Sequence, residues 1–554
     1  MDTAFNSHNL ADLLFPDTED GTQALEARFP PRALPSGAMV TRFAPSPTGF
    51  LHLGNLYGAL ADERLAHRSG GVFYLRVEDT DEKREVPGAL EKILEMCGEF
   101  GLALDEGATA DGDAGVYGPF RQRRRAEIYH ICAKELVRKG LAYPCFCTEE
   151  ALDEIREKQA SVKANPGYYG AWAVHRDMPP GAAAELVRAG KPYVLRLRSP
   201  GDPARRVKFT DLVKGDTEFP ENDQDVVLLK SDGIPTYHFA HVVDDHFMRT
   251  THVVRGDEWL ATLPIHVQLF SLMGWPMPEY LHTAPIMKME GASKRKLSKR
   301  KDPELALDFY RAKGFCPAAL KEYILTLQNS NFEEWRDQNP AAPLSDFPFS
   351  FKKMNPAGAL FDMDKLMDVA KTVMSRQSAE EVYGGLLAWA EAYEPEFALM
   401  LRRDEGYARG ILSIGRGGPK PRKDFGTYSE AKEYMAFFYD GLFEIIGAYP
   451  ENMGAELLKT VFGRFAETYD PRDDNSVWFE KVKAVAAGIG FAVNMKDYKK
   501  NPDAHPGSVG DVAMALRIAV TGRAQSPDLC EVMRLLGEVR VRERLNTAQG
   551  VTHE

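Results

Sequence analysis

Cysteine is scarce. Six cysteines in 554 residues are too few for a disulfide framework and predict a reducing, cytoplasmic setting. Long apolar runs are missing as well. No window reaches the ~18 consecutive apolar residues of a membrane span, so no membrane association is expected. The opening stretch MDTAFNSHNLADLLFPDTED has neither a basic n-region nor an apolar h-region, so no secretory signal is expected. Neither a Walker A sequence nor a G-x-G-x-x-G is present, which removes support for ordinary NTPase and dinucleotide chemistry. Basic charge is in deficit: 69 Lys and Arg against 81 Asp and Glu give a net charge of −12. That balance argues against a uniformly basic nucleic-acid binder, although a local patch is enough for binding.

What is present is ordinary globular material. Apolar residues make up 44 % and charged residues 27 %, which excludes a disordered or fibrous chain. At roughly 100–200 residues per domain the length predicts three to five domains. Three basic runs stand out: Arg121 with Arg123, Arg124 and Arg125; the stretch Lys294 to Lys301; and Arg409 to Lys423, which holds no acid. Each, taken alone, is equally a solvated face.

Hydrophobic spacing predicts an α/β beginning. Residues 1–37 read as a loosely structured leader. MVTRFA (39–44) and VFYLRVE (72–78) read as buried strands around a helix over 54–69, with further helices at 88–100 and 122–139. Strand–helix–strand at this spacing implies a parallel sheet. Residues 140–235 differ, with Cys145-Phe-Cys147, a Gly/Tyr/Pro-rich loop, and strands at 193–198 and 226–230. A strand at 251–256 and a helix at 262–274 return to the first style. From about 303 onward the pattern is helix after helix.

Two segments carry chemistry. In PSPTGFLHLGN (45–55) a strand ends, a Pro/Gly turn follows and a helix opens. Free N–H groups at a helix start attract phosphate, His52 and Asn55 could add donors, and Gly54 lets a flat ring approach the backbone. By itself this is also a tight turn with an incidental histidine. In Lys296-Leu-Ser-Lys-Arg300 two lysines three apart could converge on one polyphosphate; by itself this is also a solvated loop.

Together they resemble the HIGH and KMSKS signatures of class I aminoacyl-tRNA synthetases. TRFAPSPTGFLHLG, YLRVEDTD, DGIPTYHFAHVVDDH, VVRGDEW, KLSKR and the late segment LRIAVTGRAQSPDLCEVMRLLGEVRVRERL stand in the order seen in bacterial-type glutamyl-tRNA synthetases. Ser46-Pro-Thr-Gly replaces the EPNG-type turn of the glutaminyl branch. The resemblance implies a Rossmann-like catalytic domain at 38–121 and 236–285, interrupted by an inserted α/β acceptor-binding domain at 122–235. It further implies a stem-contact domain at 286–355 and an all-α anticodon-binding region at 356–554.

The implied reaction joins L-glutamate to tRNA(Glu) through a glutamyl-adenylate, with ATP as substrate and Mg²⁺ accompanying it. Catalysis is then positioning and charge stabilisation. The resemblance places His52, Gly54, Asn55, Lys296 and Lys299 in the catalytic set, and Glu258 and Ser298 beside the nucleotide. Arg42 and Tyr237 match positions holding the side-chain carboxylate, and Ser46 and Glu78 positions near the α-amino group. Pro45, Pro47, His241, Arg255 and Trp259 complete the glutamate set. Arg416, Lys420, Arg422 and Lys423 are the expected tRNA contacts on the anticodon side.

Two departures matter. His241 stands where the family usually has Asn, so a charge varying near neutral pH is expected. Asn55 ends the HIGH-type motif. Some relatives bind zinc through a C-x-C pair with later Cys or His ligands. Here Ala171-Trp-Ala-Val occupies the place of a later Cys, and Cys145, Cys147 and His175 make only three of the four donors a structural site needs; no metal is expected. A monomer is expected. Alternatives are a non-discriminating enzyme also charging tRNA(Gln) and a catalytically silent tRNA-binding homologue. Intact His52, Gly54, Lys296 and Lys299 speak against the latter.

Overall fold

A computed structural model describes residues 5–19, 21–418 and 420–551. They form two units, Met1–Leu307 with Ile324–Phe361 and Asp308–Tyr323 with Asp362–Glu554.

The first unit opens with helices α1 (Ser7–Leu14) and α2 (Thr22–Arg28), so the expectation of a loose leader is overturned. The Asn6 side chain accepts from the N–H groups of His8 and Asn9, and Asn9 answers back to Asn6, closing a capping box. Leu10, Leu14, Phe15, Leu25 and Phe29 are buried. Lys134 Nζ donates to the carbonyls of Phe15 (3.1 Å) and Thr18 (2.8 Å). Arg32 grips Glu106 through two bonds of 2.8 and 2.9 Å. These partners lie far along the chain, where local periodicity has no view of them.

Strand β1 (Val40–Phe43), helix α3 (Leu53–Arg68) and strand β2 (Val72–Leu75) follow, with β1 and β2 parallel. All four residues of β1 are buried, as expected of a strand covered on both faces. After α4 (Ala89–Glu99), β3 (Glu106–Ala108) extends the sheet in parallel and β4 (Asp113–Ala114) adds an antiparallel edge.

Next comes α5 (Ala126–Arg138). The basic run before it is only partly a surface patch: Arg124 is exposed, but its last member is not. Arg125 is fully buried, its Nε donating to Asp244 (2.6 Å) and its Nη1 to the Pro119 carbonyl (2.9 Å).

The middle segment holds β5 (Ala142–Cys145), α6 (Glu149–Ser161), α7 (Pro180–Arg188) and β6 (Val194–Leu197). It continues with the hairpin β7 (Arg206–Asp211) and β8 (Gly215–Pro220), then β9 (Val227–Leu229); β5, β6 and β9 make a small antiparallel sheet.

The chain then returns through α8 (Tyr237–Phe247), β10 (His252–Gly256), α9 (Leu263–Met273) and β11 (Glu279–Thr283), with β10 and β11 parallel. The Thr251 N–H donates to the Val40 carbonyl (3.0 Å), setting β10 against the side of β1 away from β2. Strand order therefore diverges at β1, and the crevice at the carboxyl ends of β1 and β10 is where such sheets bind ligands. The antiparallel hairpin β12 (Met287–Glu290) and β13 (Ser293–Lys296) delivers the KLSKR loop.

The second unit is helical. Several of its helices start where short polar residues cap them: Asp362 before Met363–Arg376, Ser378 with Glu381 before Ala379–Tyr393, and Asp474 before Asn475–Gly488. Among the described residues no helix is long and apolar enough to cross a membrane.

Candidate active site

His52 is the N-cap of α3. Its Nδ1 accepts from the Asn55 N–H (3.2 Å), while Asn55 Oδ1 accepts from the His52 N–H (3.0 Å). Burial and the nearby Lys299 ammonium draw the imidazole down to about 4, so the ring is neutral near pH 7. A neutral ring whose Nδ1 accepts must carry its proton on Nε2, which leaves one N–H donor for a ligand. Asn55 is thus half committed: its oxygen closes the capping box, and only its amide N–H groups remain available. Gly54 has its own reason. A Cβ there would sit 3.0 Å from the His52 ring, so a side chain would press the capping imidazole out of place by a few tenths of an ångström.

The KLSKR loop hangs on a residue that sequence reasoning missed. Asp302, 3 % exposed, takes two bonds from Arg295 (2.6 and 2.8 Å) and one from the Ser298 N–H (2.8 Å). Arg295 above all holds its carboxyl far below the usual range. A lone acid closing a basic run is the signal that could have found it. With Asp302 neutralising Arg295, the outer lysines are set apart. Lys296 Nζ lies 3.4 Å from Glu258, whereas Lys299 Nζ lies 4.1 Å from the centre of the Phe50 ring.

Arg42 is 4 % exposed. Its Nε faces Asp245 (3.4 Å) and its Nη1 donates to the Val254 carbonyl (3.1 Å). Burial is the largest single influence and opposes its charge, but Asp245 together with Asp62 and Tyr74 turns the net shift upward. Asp245 also takes Arg76 Nη1 (2.5 Å), and Arg76 Nη2 donates to Glu78 (3.1 Å).

His241 departs from expectation. It is wholly buried behind Tyr237, whose ring stacks on it at 5.8 Å, and its Nε2 meets the Tyr280 hydroxyl at 2.8 Å. Burial draws it down to about 3. It is therefore uncharged across neutral pH, and the expected titration near 6.5 does not arise from this residue.

A cleft of about 580 Å³ gathers these groups. Arg42, Pro45, Ser46, His52, Gly54, Asn55, Glu78, Tyr237, Arg255, Glu258, Trp259, Lys296 and Lys299 line it. Three expected residues do not: Pro47, His241 and Ser298 are absent from its wall. Ser298 faces Asp302 instead, at 3.5 Å, and Pro47 gives its carbonyl to the Val86 N–H (2.9 Å). Phe50 and Asp62 are wall residues that the sequence did not single out.

The family model of the class I tRNA synthetase (E and Q) catalytic domain matches residues 38–336. The glutamate–tRNA ligase of Acetivibrio thermocellus is 52 % identical over 537 residues, covering 97 % of this chain and 98 % of that one. The chain belongs to the glutamate–tRNA ligase family of class I tRNA synthetases. An anticodon-binding domain model matches residues 498–549. The glutamate–tRNA ligase of Thermus thermophilus is 36 % identical over 92 % of this chain and 99 % of its own. The crystal structure of a glutamate tRNA ligase from Elizabethkingia meningosepticum superposes with a TM-score of 0.74 at 28 % identity, covering 92 % of this chain and 99 % of that one.

Within this synthetase fold a second donor cluster forms. Cys145, Cys147 and His175 converge as a possible metal group, and the fold adds a fourth donor that the sequence count lacked, Tyr168. Its hydroxyl lies 3.3 Å from Cys145 Sγ, 3.5 Å from Cys147 Sγ and 3.5 Å from His175 Nδ1; that nitrogen lies 3.7 and 3.4 Å from the two sulfurs. A tetrahedron with arms of about 2.2 Å has edges of about 3.6 Å, so the donor set fits zinc. Its hydrogen bond with Cys147 draws Cys145 down to about 4 and pushes the Cys147 thiol well up, so the pair shares one proton, which a metal would have to displace. To the three donors counted in the sequence, Cys145, Cys147 and His175, the Gly/Tyr/Pro-rich loop adds a tyrosine hydroxyl within reach.

The anticodon-side patch splits in two. Arg416 is turned inward, with Nη1 on the carbonyls of Met374 and Gln377 and its guanidinium 5.1 Å from the Phe425 ring. Arg422 pairs with Asp424 (2.7 Å). Lys420 and Lys423 are exposed.

Proposed function

We propose that the protein ligates L-glutamate to tRNA(Glu) through a glutamyl-adenylate formed from ATP. The observation that carries this reading is one cleft holding a neutral His52 donor, a Lys299 without a carboxylate partner among the described residues, and two buried arginines, Arg42 and Arg255. Phosphates sit at the α3 N-terminus, where free N–H groups and the His52 Nε2–H meet them. Lys299 and Lys296 stabilise charge on the departing pyrophosphate. The exposed Glu258 would be the carboxylate at that end for the Mg²⁺ that accompanies ATP, which would supply neutralising charge on the phosphates. The glutamate side chain meets Arg42 and Tyr237, and its ammonium meets Ser46 and Glu78. No protein nucleophile is needed. ATP–pyrophosphate exchange with and without glutamate and tRNA tests the activation step. Charging of purified tRNA(Glu) and tRNA(Gln) separates a discriminating from a relaxed enzyme, and a silent homologue gives neither signal.

Cys145, Cys147, Tyr168 and His175 would hold zinc, which would supply a tie between β5 and the loop after α6. Protein purified without chelator is expected to carry about one zinc per chain, and Cys147→Ser to carry none. Metal analysis giving well under one zinc in the parent protein returns the cluster to a hydrogen-bonded core.

Lys420 and Lys423 contact tRNA phosphates. Replacing both with alanine is expected to lower the slope of log affinity against log salt by about two units. Adding Arg416→Ala should lower stability rather than the slope further. An unchanged slope in the double variant means the lysines are only solvated.

A further inference from the structure

Arg255 closes the glutamate end of the cleft while remaining 8 % exposed. A guanidinium has many rotamers, and this one is fixed from behind. Its Nε donates to His282 Nε2 at 2.9 Å. Nη1 faces the Tyr237 hydroxyl (3.3 Å) and His266 Nδ1 (3.2 Å), and the group lies 4.7 Å from the centre of the Tyr280 ring. His282 in turn places Nδ1 2.7 Å from Asp211 Oδ2. Asp211, at the end of β7, also accepts from the N–H groups of Val213 (2.9 Å), Lys214 (2.8 Å) and His282 itself (3.1 Å). Both side chains are fully buried, and neither lines the cleft.

We propose that Asp211 and His282 are positioning residues for Arg255: the carboxylate fixes the imidazole tautomer, and the tautomer fixes the guanidinium. A carboxylate only accepts, so the proton between the two must sit on His282 Nδ1. Nε2 is then a bare lone pair, which is what an arginine N–H requires. The opposite tautomer would set donor against donor. A doubly protonated ring would add cation against cation. Burial keeps His282 below its ordinary value and so holds the ring neutral beside Arg255. The hairpin of the middle segment thereby reaches the substrate pocket, through two side chains that never touch substrate.

The inference rests on the proposed glutamate activation, and the test separates the two. In exchange assays with saturating tRNA, Asp211→Asn is expected to raise the KM for glutamate roughly 10- to 100-fold with the KM for ATP within about twofold, because its amide N–H₂ forces the proton onto Nε2. His282→Leu removes the acceptor and should do the same. His282→Gln keeps a carbonyl where Nε2 stood and should recover most of the affinity. The decisive variant is Asp211→Asn with His282→Gln. An amide acceptor does not depend on a tautomer, so the double variant should bind glutamate better than Asp211→Asn alone. A merely structural loss cannot be rescued in this way. If Asp211→Asn does not fold, the contrast between His282→Leu and His282→Gln, each checked by thermal melting, carries the same information. Equal KM values for those two, or a double variant no better than Asp211→Asn, overturn the relay. Absence of glutamate-dependent exchange in the parent protein overturns the proposed function instead. The tautomer is then read without activity, from the ¹⁵N spectrum of histidine-labelled protein. A proton on His282 Nδ1 is expected, and one on Nε2 overturns the relay.

Discussion

Arg42→Leu is expected to lower kcat/KM for glutamate by about 3–5 kcal/mol, roughly 150- to 5,000-fold. Glutamate and glutamine have nearly the same shape and differ in charge, so a pocket distinguishes them only with a fixed cation. Arg42 is held from behind by Asp245 and the Val254 carbonyl and lines the cleft. Its loss leaves the substrate carboxylate desolvated and unpaired. Asp245 keeps Arg76 as a partner, so the fold should survive, as a thermal melt will show. The KM for ATP should change far less. Preference over glutamine should shrink in parallel, because the amide had no ion pair to lose. Measuring kcat/KM for both amino acids in both proteins decides the matter. If activity falls and selectivity stays, Arg255 reads the side chain; His241, buried and uncharged, is not available for that role.

Lys299→Ala should slow adenylate formation at least a hundredfold, about 2.7 kcal/mol of barrier, with little change in glutamate affinity. Among the described residues Lys299 has no carboxylate partner, only the face of Phe50 at 4.1 Å. Its charge is therefore free for the leaving pyrophosphate, whereas Lys296 already faces Glu258 at 3.4 Å. Lys296→Ala should thus cost less than Lys299→Ala. Single-turnover activation at a near-normal rate in Lys299→Ala would remove the lysine from the mechanism.

The main α/β elements were legible because their signals are local. Buried strand Val40–Phe43 and helix Leu53–Arg68 fall within a residue or so of where apolar spacing puts them, and turn chemistry marks the chain between them. The hairpins Arg206–Asp211 with Gly215–Pro220 and Met287–Glu290 with Ser293–Lys296 were not legible. They carry charged, partly exposed residues, and what alternation they have is short and mostly polar.

The sequence by itself determined the family, the chemistry of the cleft and most of its lining, since ordered motifs specify residue types at positions that chemistry demands. Tertiary structure decided the state of each group, because charge, tautomer and ligand count depend on neighbours distant in the chain. His241 reads as a titrating substrate contact until burial behind Tyr237 makes it neutral and removes it from the wall. Arg125 and Arg416 read as surface cations until Asp244 and the backbone carbonyls claim them. Tyr168 reads as a loop aromatic until folding brings its hydroxyl between two thiols. In each case burial raises the energy of an unpartnered polar group so far that its partner, wherever it lies in the chain, settles what the residue can do.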